Sequence, residues 1–548
     1  MEPFDPKNMV FTEASHLPII KEYAKRIGVV ATIDRIVDSQ MELAPGLAVL
    51  AMVIDTLSGR SPLYRLVDFF EDKDTEILLG VDVSPELFSD YNIGRALDRI
   101  YEAGTQRIFS RIAHNALDVF AIDTKKVHFD TTSISVYGDY DVADPPFTIT
   151  YGHSKDKRPD LKQFLLSMLC VDHNIPVLGG TKDGNASDKT INNEVLSTIS
   201  THMATHGLTP GAYVYVADSA FVTPANLEKA RDNEIAFLTR LPATYSECSR
   251  VIQQAVKTNV WVDIGGLAEE GTEKQAQYRV CESTVTLYEK TYRAIVVHSS
   301  AHDKRRHKRI DRLLDEHRSE LEDACKEAST PFFCRADAEA FADKLKARAS
   351  IYHRLEIDIE EVPRYPKGRP VKDKERVPER YEYVLKTLIH EDTAKIEPLR
   401  TEAGCFVLLT TVEDKEIWPA RELLILYRDQ NGIEKNFGFL KDPVIVNSIF
   451  LKRPERIEVL GLVLLISLLV WRLMEHSMRR YINETRGTLT GWNKRPTKKP
   501  TSFMMTTKFT RVLLVKAGGK RALARPLKQV HLEFLKALGV SPDIFTVP

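Results

Sequence analysis

The sequence predicts an α/β protein (α+β overall), a mixed sheet flanked by helices, with a helical N-terminal domain and a large insertion domain interrupting the sheet. Residues 1–124 carry apolar residues at a spacing near 3.6, broken by Gly and Pro. From Lys126 the pattern turns to strand-like segments alternating with short helical ones. After Pro242 that alternation stops, and charged helical stretches take over until about residue 411.

The elements follow in order. LPIIKEYAKRIG, APGLAVLAMVIDTLSG and IGRALDRIYEAGTQRIFSRIAHNALDVF are helical by period. Lys126 to Tyr137 (KVHFDTTSISVY) alternates apolar with polar residues and is rich in β-branched types, which predicts a strand. Lys162 to Val171 is a second strand, nearly continuous in apolar character, and Asn192 to His206 a helix. Ala212 to Ala217 and Ala236 to Thr239 are further short strands, with a helix over Pro224–Asp232 between them. The predicted order is strand, strand, helix, strand, helix, strand. In the insertion, strand-like pieces lie near 277–298 and 403–411. Helices are expected over 303–327 and 335–350, and a loop rich in Pro and charge over 362–381. Arg421 to Leu440 returns to helix and Pro443 closes it. No repeat at solenoid or propeller spacing is present.

Composition narrows the function classes. The chain has 548 residues, 28% charged and 43% hydrophobic, with a net charge of −1, as in an ordinary globular protein. The start, MEPFDPKNMVFTEASHLP, is acidic and lacks an apolar core, which predicts no secretory signal. The longest apolar run, Val459 to Trp471, falls short of the about 20 residues of a membrane span, so a buried helix and no membrane partner are expected. The six cysteines are scattered without a CxxC pair, which argues against a zinc site or disulfide framework and for a reducing, cytoplasmic setting. Charge is polarised along the chain. Leu451 to Pro548 holds 19 Lys/Arg against 6 Asp/Glu, or +13, so the rest carries −14. The pairs Arg479-Arg480, Lys494-Arg495 and Lys498-Lys499 could track a phosphate backbone. A solubilising tail is the plainer alternative, but Trp492, Phe503, Phe509 and Leu513 to Val515 interleave with these cations as in a folded surface.

Two carboxylates stand out by position. Asp130 sits inside the first strand, where Asp is disfavoured without a task. Asp218 follows the strand AYVYVA directly. Each could simply end a strand or cap a helix, and SAFVTPANLEKA begins a helix soon after Asp218. Two carboxylates at one sheet edge stay ionised cheaply only with a cation between them, and a hard divalent ion with phosphate oxygens is the usual solution. The helix 421–440 offers a third ligand. Tyr427, Gln430, Glu434 and Lys441 share a stripe, and Ile433, Phe437 and Leu440 form an apolar stripe beside it. An exposed Glu434/Lys441 face is the plainer reading.

Several ordered motifs carry a resemblance. HFDTTSISVYG, YGHSKDKRPDLKQF, GGTKDGNASDKT, VADSAF, FLTRLP and LYRDQNGIEKNFGFLK together resemble insertion-sequence transposases of the DDE type, the branch with the Tyr-x2-Arg-x3-Glu-x6-Lys signature. DYNIGRALDRIYEAG and GWNKRPTKKPTSFMM resemble its elongated members. The resemblance implies a ribonuclease-H-like catalytic domain, catalytic and metal-binding Asp130, Asp218 and Glu434, and two Mg2+ ions for which Mn2+ may substitute. Asp130 would bridge the ions, with Asp218 on one and Glu434 on the other. It implies DNA contacts from Tyr427, Gln430, Lys441 and Arg240, joined by the basic Lys494, Arg495, Lys498 and Lys499. The implied partners are double-stranded DNA, as terminal inverted repeats and as target, and a second copy in the DNA complex, nucleoid-associated in the cytoplasm. Gln430 stands where the signature has Arg, so a phosphate grip loses its charge.

The resulting domain expectation is a helical region over 1–124 for DNA ends or dimerisation, and a catalytic domain over 125–242 and 412–480. An insertion over 243–411 and a basic region over 481–548 complete it. The expected function is metal-dependent cut-and-paste strand cleavage and transfer. The alternative is a transposase-derived DNA-binding protein without catalysis.

Overall fold

Residues 9–59, 65–154, 158–205, 211–267, 276–327, 330–368, 376–442, 449 and 451–548 are described by the computed structural model of the chain. The chain divides into two units, Met1–Thr239 with Ile425–Pro548, and Arg240–Leu424.

The first unit opens with β1 (Val10–Glu13) and seven helices. These are α1 (Leu17–Arg26), α2 (Val29–Ile36), α3 (Pro45–Ser58), α4 (Leu66–Glu71), α5 (Thr75–Leu79), α6 (Asp90–Ala103) and α7 (Thr105–Phe120). Gly28, at φ +69°, supplies the left-handed turn between α1 and α2. α3 is apolar around most of its circumference and is buried accordingly.

The sheet of this unit is built from β2 (Lys126–Val136), β3 (Lys162–Val171), β4 (Ile175–Lys182), β5 (Val214–Ala217) and β6 (Ala236–Arg240), with α8 (Asp188–Thr205) after β4 and α9 (Pro224–Asp232) after β5. Their spatial order is β4-β3-β2-β5-β6. β2, β3 and β4 form an antiparallel meander, whereas β5 and β6 run parallel to β2. This is the mixed sheet flanked by helices that the sequence predicts, with one strand more. β4 went unread because IPVLGGTK contains Pro176, Gly179 and Gly180, residues that strands disfavour. The structure explains the glycine: a Cβ on Gly179 would fall 2.7 Å from Leu465 Cδ1 and 2.9 Å from the Ser167 carbonyl oxygen.

The second unit holds α10 (Ser246–Thr258), β7 (Val262–Gly265), β8 (Tyr278–Leu287), β9 (Lys290–Ser299), α11 (Ser300–Glu327), α12 (Arg335–Ala347), β10 (His353–Arg364), β11 (Arg380–Glu391), α13 (Thr393–Glu402) and β12 (Cys405–Thr410). β7, β8, β9 and β12 pair antiparallel in that order. β10 and β11 form a separate long hairpin whose Leu355 and Leu385 pack with Ala338, Ala342 and Leu345 of α12. The sequence gives a loop across the 362–381 segment and misses these arms, because charged Glu356, Asp358 and Glu360 dilute the apolar alternation of Leu355, Ile357 and Ile359. Residues 369–375 lie outside the described residues.

The expected helix 421–440 is two helices, α14 (Ala420–Asp429) and α15 (Asn431–Lys441). Bonds of 3-10 type, Gln430 N to Tyr427 O at 3.3 Å and Ile433 N to Gln430 O at 3.0 Å, mark the junction. Tyr427 and Glu434 therefore sit on successive helices. Pro443 lies outside the described residues.

α16 (Pro454–Thr485) contains the long apolar run, and every residue from Val459 to Trp471 is buried. Its most apolar window, of mean hydropathy 2.2, is long enough to cross a membrane, yet 83% of that window is buried inside the protein. α1, α3, α6, α7 and β4 pack on it. The remaining elements are β13 (Leu489–Thr490), β14 (Pro496–Thr497), α17 (Ser502–Lys508), β15 (Leu513–Ala517), β16 (Lys520–Leu523) and α18 (Gln529–Leu538). β15 pairs with β1, the Tyr23 hydroxyl donates to the Leu538 carbonyl oxygen at 2.9 Å, and Phe509, Phe534 and Phe545 are fully buried. The basic C-terminal residues thus belong to a packed structure and are no solvated tail.

Arg521 ties this segment to the N-terminal helices, with Nε 2.6 Å from Asp74 Oδ2 and a second contact to Glu76. The Arg521 and Asp74 side chains are each 7% exposed. Burial alone would raise the Asp74 carboxyl, but hydrogen bonds from Arg521 and from Ile77 N hold it below its ordinary value. A carboxylate lowered in this way contributes stability above its unfolded pKa and loses it as pH falls through the folded one. Arg521→Leu is expected to cost about 3–5 kcal/mol at pH 7, because it leaves a buried charge unpaired. The gap between variant and parent should shrink as pH falls through the ordinary carboxylate range, because the parent then loses what the ionised Asp74 contributes. Thermal unfolding from pH 3 to 7 measures both, and a pH-independent gap would contradict the ion pair.

Candidate active site

Strand register brings two acids together. β2 and β5 are parallel, with Lys126, Val127 and His128 opposite Val214, Tyr215 and Val216. Carried on by two residues, that register sets Asp130 beside Asp218, and neighbouring strands lie about 4.8 Å apart. Both residues follow their paired partners by the same even step, so both belong to one face of the sheet. β5 ends at Ala217 while β2 runs on to Val136, which leaves both acids half-exposed. Both charges also act on buried Tyr215, whose hydroxyl is raised well above its ordinary value, first by burial and then by Asp218 and Asp130.

The same face carries α15. Asp130 pairs across the sheet with Met168, and His128 with Cys170. The Asn436 side-chain amide donates to Met168 Sδ at 3.6 Å and to Cys170 Sγ at 3.4 Å. It also donates to the Asn174 carbonyl oxygen at 2.9 Å and accepts from Arg472 Nε at 2.6 Å. Asn436 is fully buried and, with Ile433, Phe437 and Leu440, fixes the inner side of α15. Gly432 presses so closely on Asn174 that a Cβ would overlap its side chain. Burial pushes the Cys170 thiol to about 12 and lowers His128 to about 4, so neutral groups underlie the acids.

Each predicted residue has a definite place. One oxygen of Asp130 accepts from Thr131 N at 2.7 Å. One oxygen of Asp218 caps the following 3-10 turn, accepting from Ala220 N at 3.1 Å, and its carbonyl accepts from Thr239 Oγ1 at 2.7 Å. Asp218 thus serves as the cap that its sequence context suggested. Glu434 is exposed on the flank of α15, one turn from half-buried Gln430, while Tyr427 and Lys441 are half-buried and engaged by neighbours. Among the described residues no three Asp, Glu, His or Cys side chains converge around a point that could hold a metal ion. The acids are therefore an aspartate pair with Glu434 on the helix above the same face. Their hard carboxylate oxygens suit a divalent cation, and the like charge of the pair favours one. Arg240, in the second unit, stacks its guanidinium 5.2 Å from the Phe406 ring centre. Lys494, Arg495, Lys498 and Lys499 are exposed around two exposed aromatics, Trp492 and Phe503, whose rings lie 6.0 Å apart.

Sequence reasoning missed Asn436 and Arg472. The signals were a lone Asn inside an apolar helical stripe and a lone Arg at the end of a 13-residue apolar run. Arg472 is held in turn by Glu475 at 3.3 Å, and Glu475 also pairs with Arg479.

Comparison with known proteins adds little. Residues 9–114 match a family described as a domain of unknown function, DUF4277. No curated protein gives a significant match. Among solved structures, a piggyBac transposase synaptic complex with hairpin DNA is similar over 90% of this chain and 80% of that one, at 9% identity and a TM-score of 0.38. At this level the likeness extends to neither activity nor site residues.

Asn436→Ala removes the link between α15, the sheet and α16 and takes the Nε acceptor from Arg472, whose side chain is 13% exposed and keeps only its Glu475 pair. A loss of about 2–4 kcal/mol is expected. Hydrogen exchange should show α15 deprotected before β2 and β3. Unchanged protection in α15 would mean that the apolar stripe alone holds the helix.

Proposed function

We propose that the chain is a DNA transposase that cleaves strands at the ends of a mobile element and joins the freed 3′ ends to target DNA. The observation that carries this reading is the parallel register of β2 and β5, which sets Asp130 beside Asp218 on the face covered by the Glu434 helix. Strand order supports it too: an antiparallel meander whose first strand is followed by two parallel strands is the arrangement expected of a ribonuclease-H-like domain. The motif resemblance supplies the chemistry class, and the exposed cations around Trp492 supply a surface for the phosphate backbone.

In this reading Asp130 and Asp218 would hold one divalent cation, and Asp130 and Glu434 of α15 a second. Mg2+, when bound, supplies Lewis-acid activation of a water or 3′-hydroxyl and stabilises the leaving oxygen of an in-line displacement at phosphorus. The protein's own groups do the remaining work. Asn436 and Arg472 fix the height over the sheet of α15, the helix that carries Glu434. Lys494, Arg495, Lys498 and Lys499 hold the backbone by charge, without reading sequence. Gln430 offers a neutral amide where relatives of this type carry a guanidinium, which predicts a weaker local phosphate contact.

A DNA-binding protein without catalysis is favoured by one observation, the exposed, unconverged position of Glu434. One experiment separates the two readings. Purified chain, a duplex bearing the element's own ends and Mg2+ should give strand cleavage. Asp130→Ala, Asp218→Ala and Glu434→Ala should each abolish it, a loss of at least about 3 kcal/mol of transition-state stabilisation, while gel-shift affinity stays near that of the parent. Binding without cleavage by the parent would select the non-catalytic reading.

Salt dependence tests the basic surface. Replacing Lys494, Arg495, Lys498 and Lys499 together by Ala should flatten the fall of log affinity with log salt by about 0.9 per lost phosphate contact. An unchanged slope would move DNA contact away from this surface. Point replacement suits this test because truncation would remove the packed β15 and α18.

A further inference from the structure

We infer that a cleft between α2 and α7 binds phosphate oxygens, and that its ligand is the backbone of duplex DNA. The second half of this statement rests on the proposed function. The cleft measures about 450 Å3 and lies wholly within the residues matched to the domain of unknown function. α7 contributes Arg107, Ser110, Arg111 and His114, at i, i+3, i+4 and i+7, so one side of the helix lines it. α2 contributes Thr32 and Arg35, one turn apart, from across the cleft. Among the described residues the lining contains no carboxylate.

The surroundings make this convergence unusual. Residues 9–114 hold 11 Lys/Arg against 16 Asp/Glu, yet three of those eleven cations meet here. Among the described residues the side chains of Arg35, Arg107 and Arg111 make no hydrogen bond or ion pair. The acids carried by α2 and α7 themselves have partners: Asp34 Oδ1 accepts from Gly46 N at 2.7 Å, and Asp118 pairs with His114 at 3.4 Å. Arg107 also stands in the first turn of α7, which has no acidic residue, so it opposes the positive end of the helix dipole. Three guanidinium groups gathered at a cleft repel one another, and an anion removes that cost. Arginine favours phosphate in particular, because its planar fork of donors matches two phosphate oxygens at once, and Ser110 and Thr32 add hydroxyl donors. The buried inner sides of both helices anchor the cleft: Ile33 on α2, and Ile108, Phe109 and Ile112 on α7.

The test uses the full chain and the double variant Arg107→Gln/Arg111→Gln, changes at exposed positions that leave the packed sides of α7 untouched. Affinity for a duplex bearing the element's end is measured at several salt concentrations, beside thermal stability with added tripolyphosphate. The expected result is that the variant loses about 1.8 from the salt slope, two contacts at about 0.9 each, while its unliganded melting temperature is no lower than the parent's. Parent-like affinity and slope in the variant would overturn the inference. If the parent itself binds no duplex, the proposed function fails, and the tripolyphosphate measurement decides for the cleft. Stabilisation of the parent but not the variant would leave a phosphate site with a free anion as its ligand. Equal stabilisation of both would overturn it.

Discussion

Burial of α16 is the constraint on which the first unit depends. Thirteen consecutive residues, Val459 to Trp471, are removed from water, and each large aliphatic side chain among them contributes about 1.5–3 kcal/mol. An all-apolar helix can be covered only from every side at once. α1, α3, α6 and α7 cover it together with β4 of the sheet. Gly179 is the local consequence, since any side chain there would meet Leu465. The polar end of the same helix then reaches the site: Arg472 bonds Asn436, and Asn436 holds α15 over β3. A helix that looks like a membrane segment by composition is thus the rod against which the acid-bearing sheet is set.

Much of this was legible because period and register are properties of the sequence itself. β2 was readable from alternation and β-branching, β3 from a nearly continuous apolar run, and α7 from its 3.6 spacing. What failed to read was decided by tertiary contact. β4 carries the residues least suited to a strand because α16 crosses it. β10 and β11 bury a single side under α12, and their other side is so charged that the segment resembles a linker. Next to the junction at Gln430, Gly432 fits against Asn174 with no room for a Cβ, a contact between residues far apart in the chain.

The site was legible in its acids and not in its supports. Asp130 and Asp218 are conspicuous because a carboxylate is an expensive residue to place within or at the end of a buried strand, and their shared register follows from the strand pairing. Asn436 hides among apolar neighbours, and its role is visible only when Met168, Cys170, Asn174 and Arg472 surround it. The charge polarity of the chain was read correctly as a basic C-terminal surface, but that surface is laced into the core through β15, α18 and Arg521.

The central claim is that Asp130 and Asp218 share one divalent cation beneath the Glu434 helix. Anomalous diffraction from crystals of the full chain grown with Mn2+ and end DNA tests it most directly. The predicted result is a Mn2+ peak in contact with a carboxylate oxygen of both aspartates, lost in crystals of Asp218→Asn. Ordered Mn2+ bound elsewhere, with Asp130 and Asp218 held only by protein donors, would contradict it.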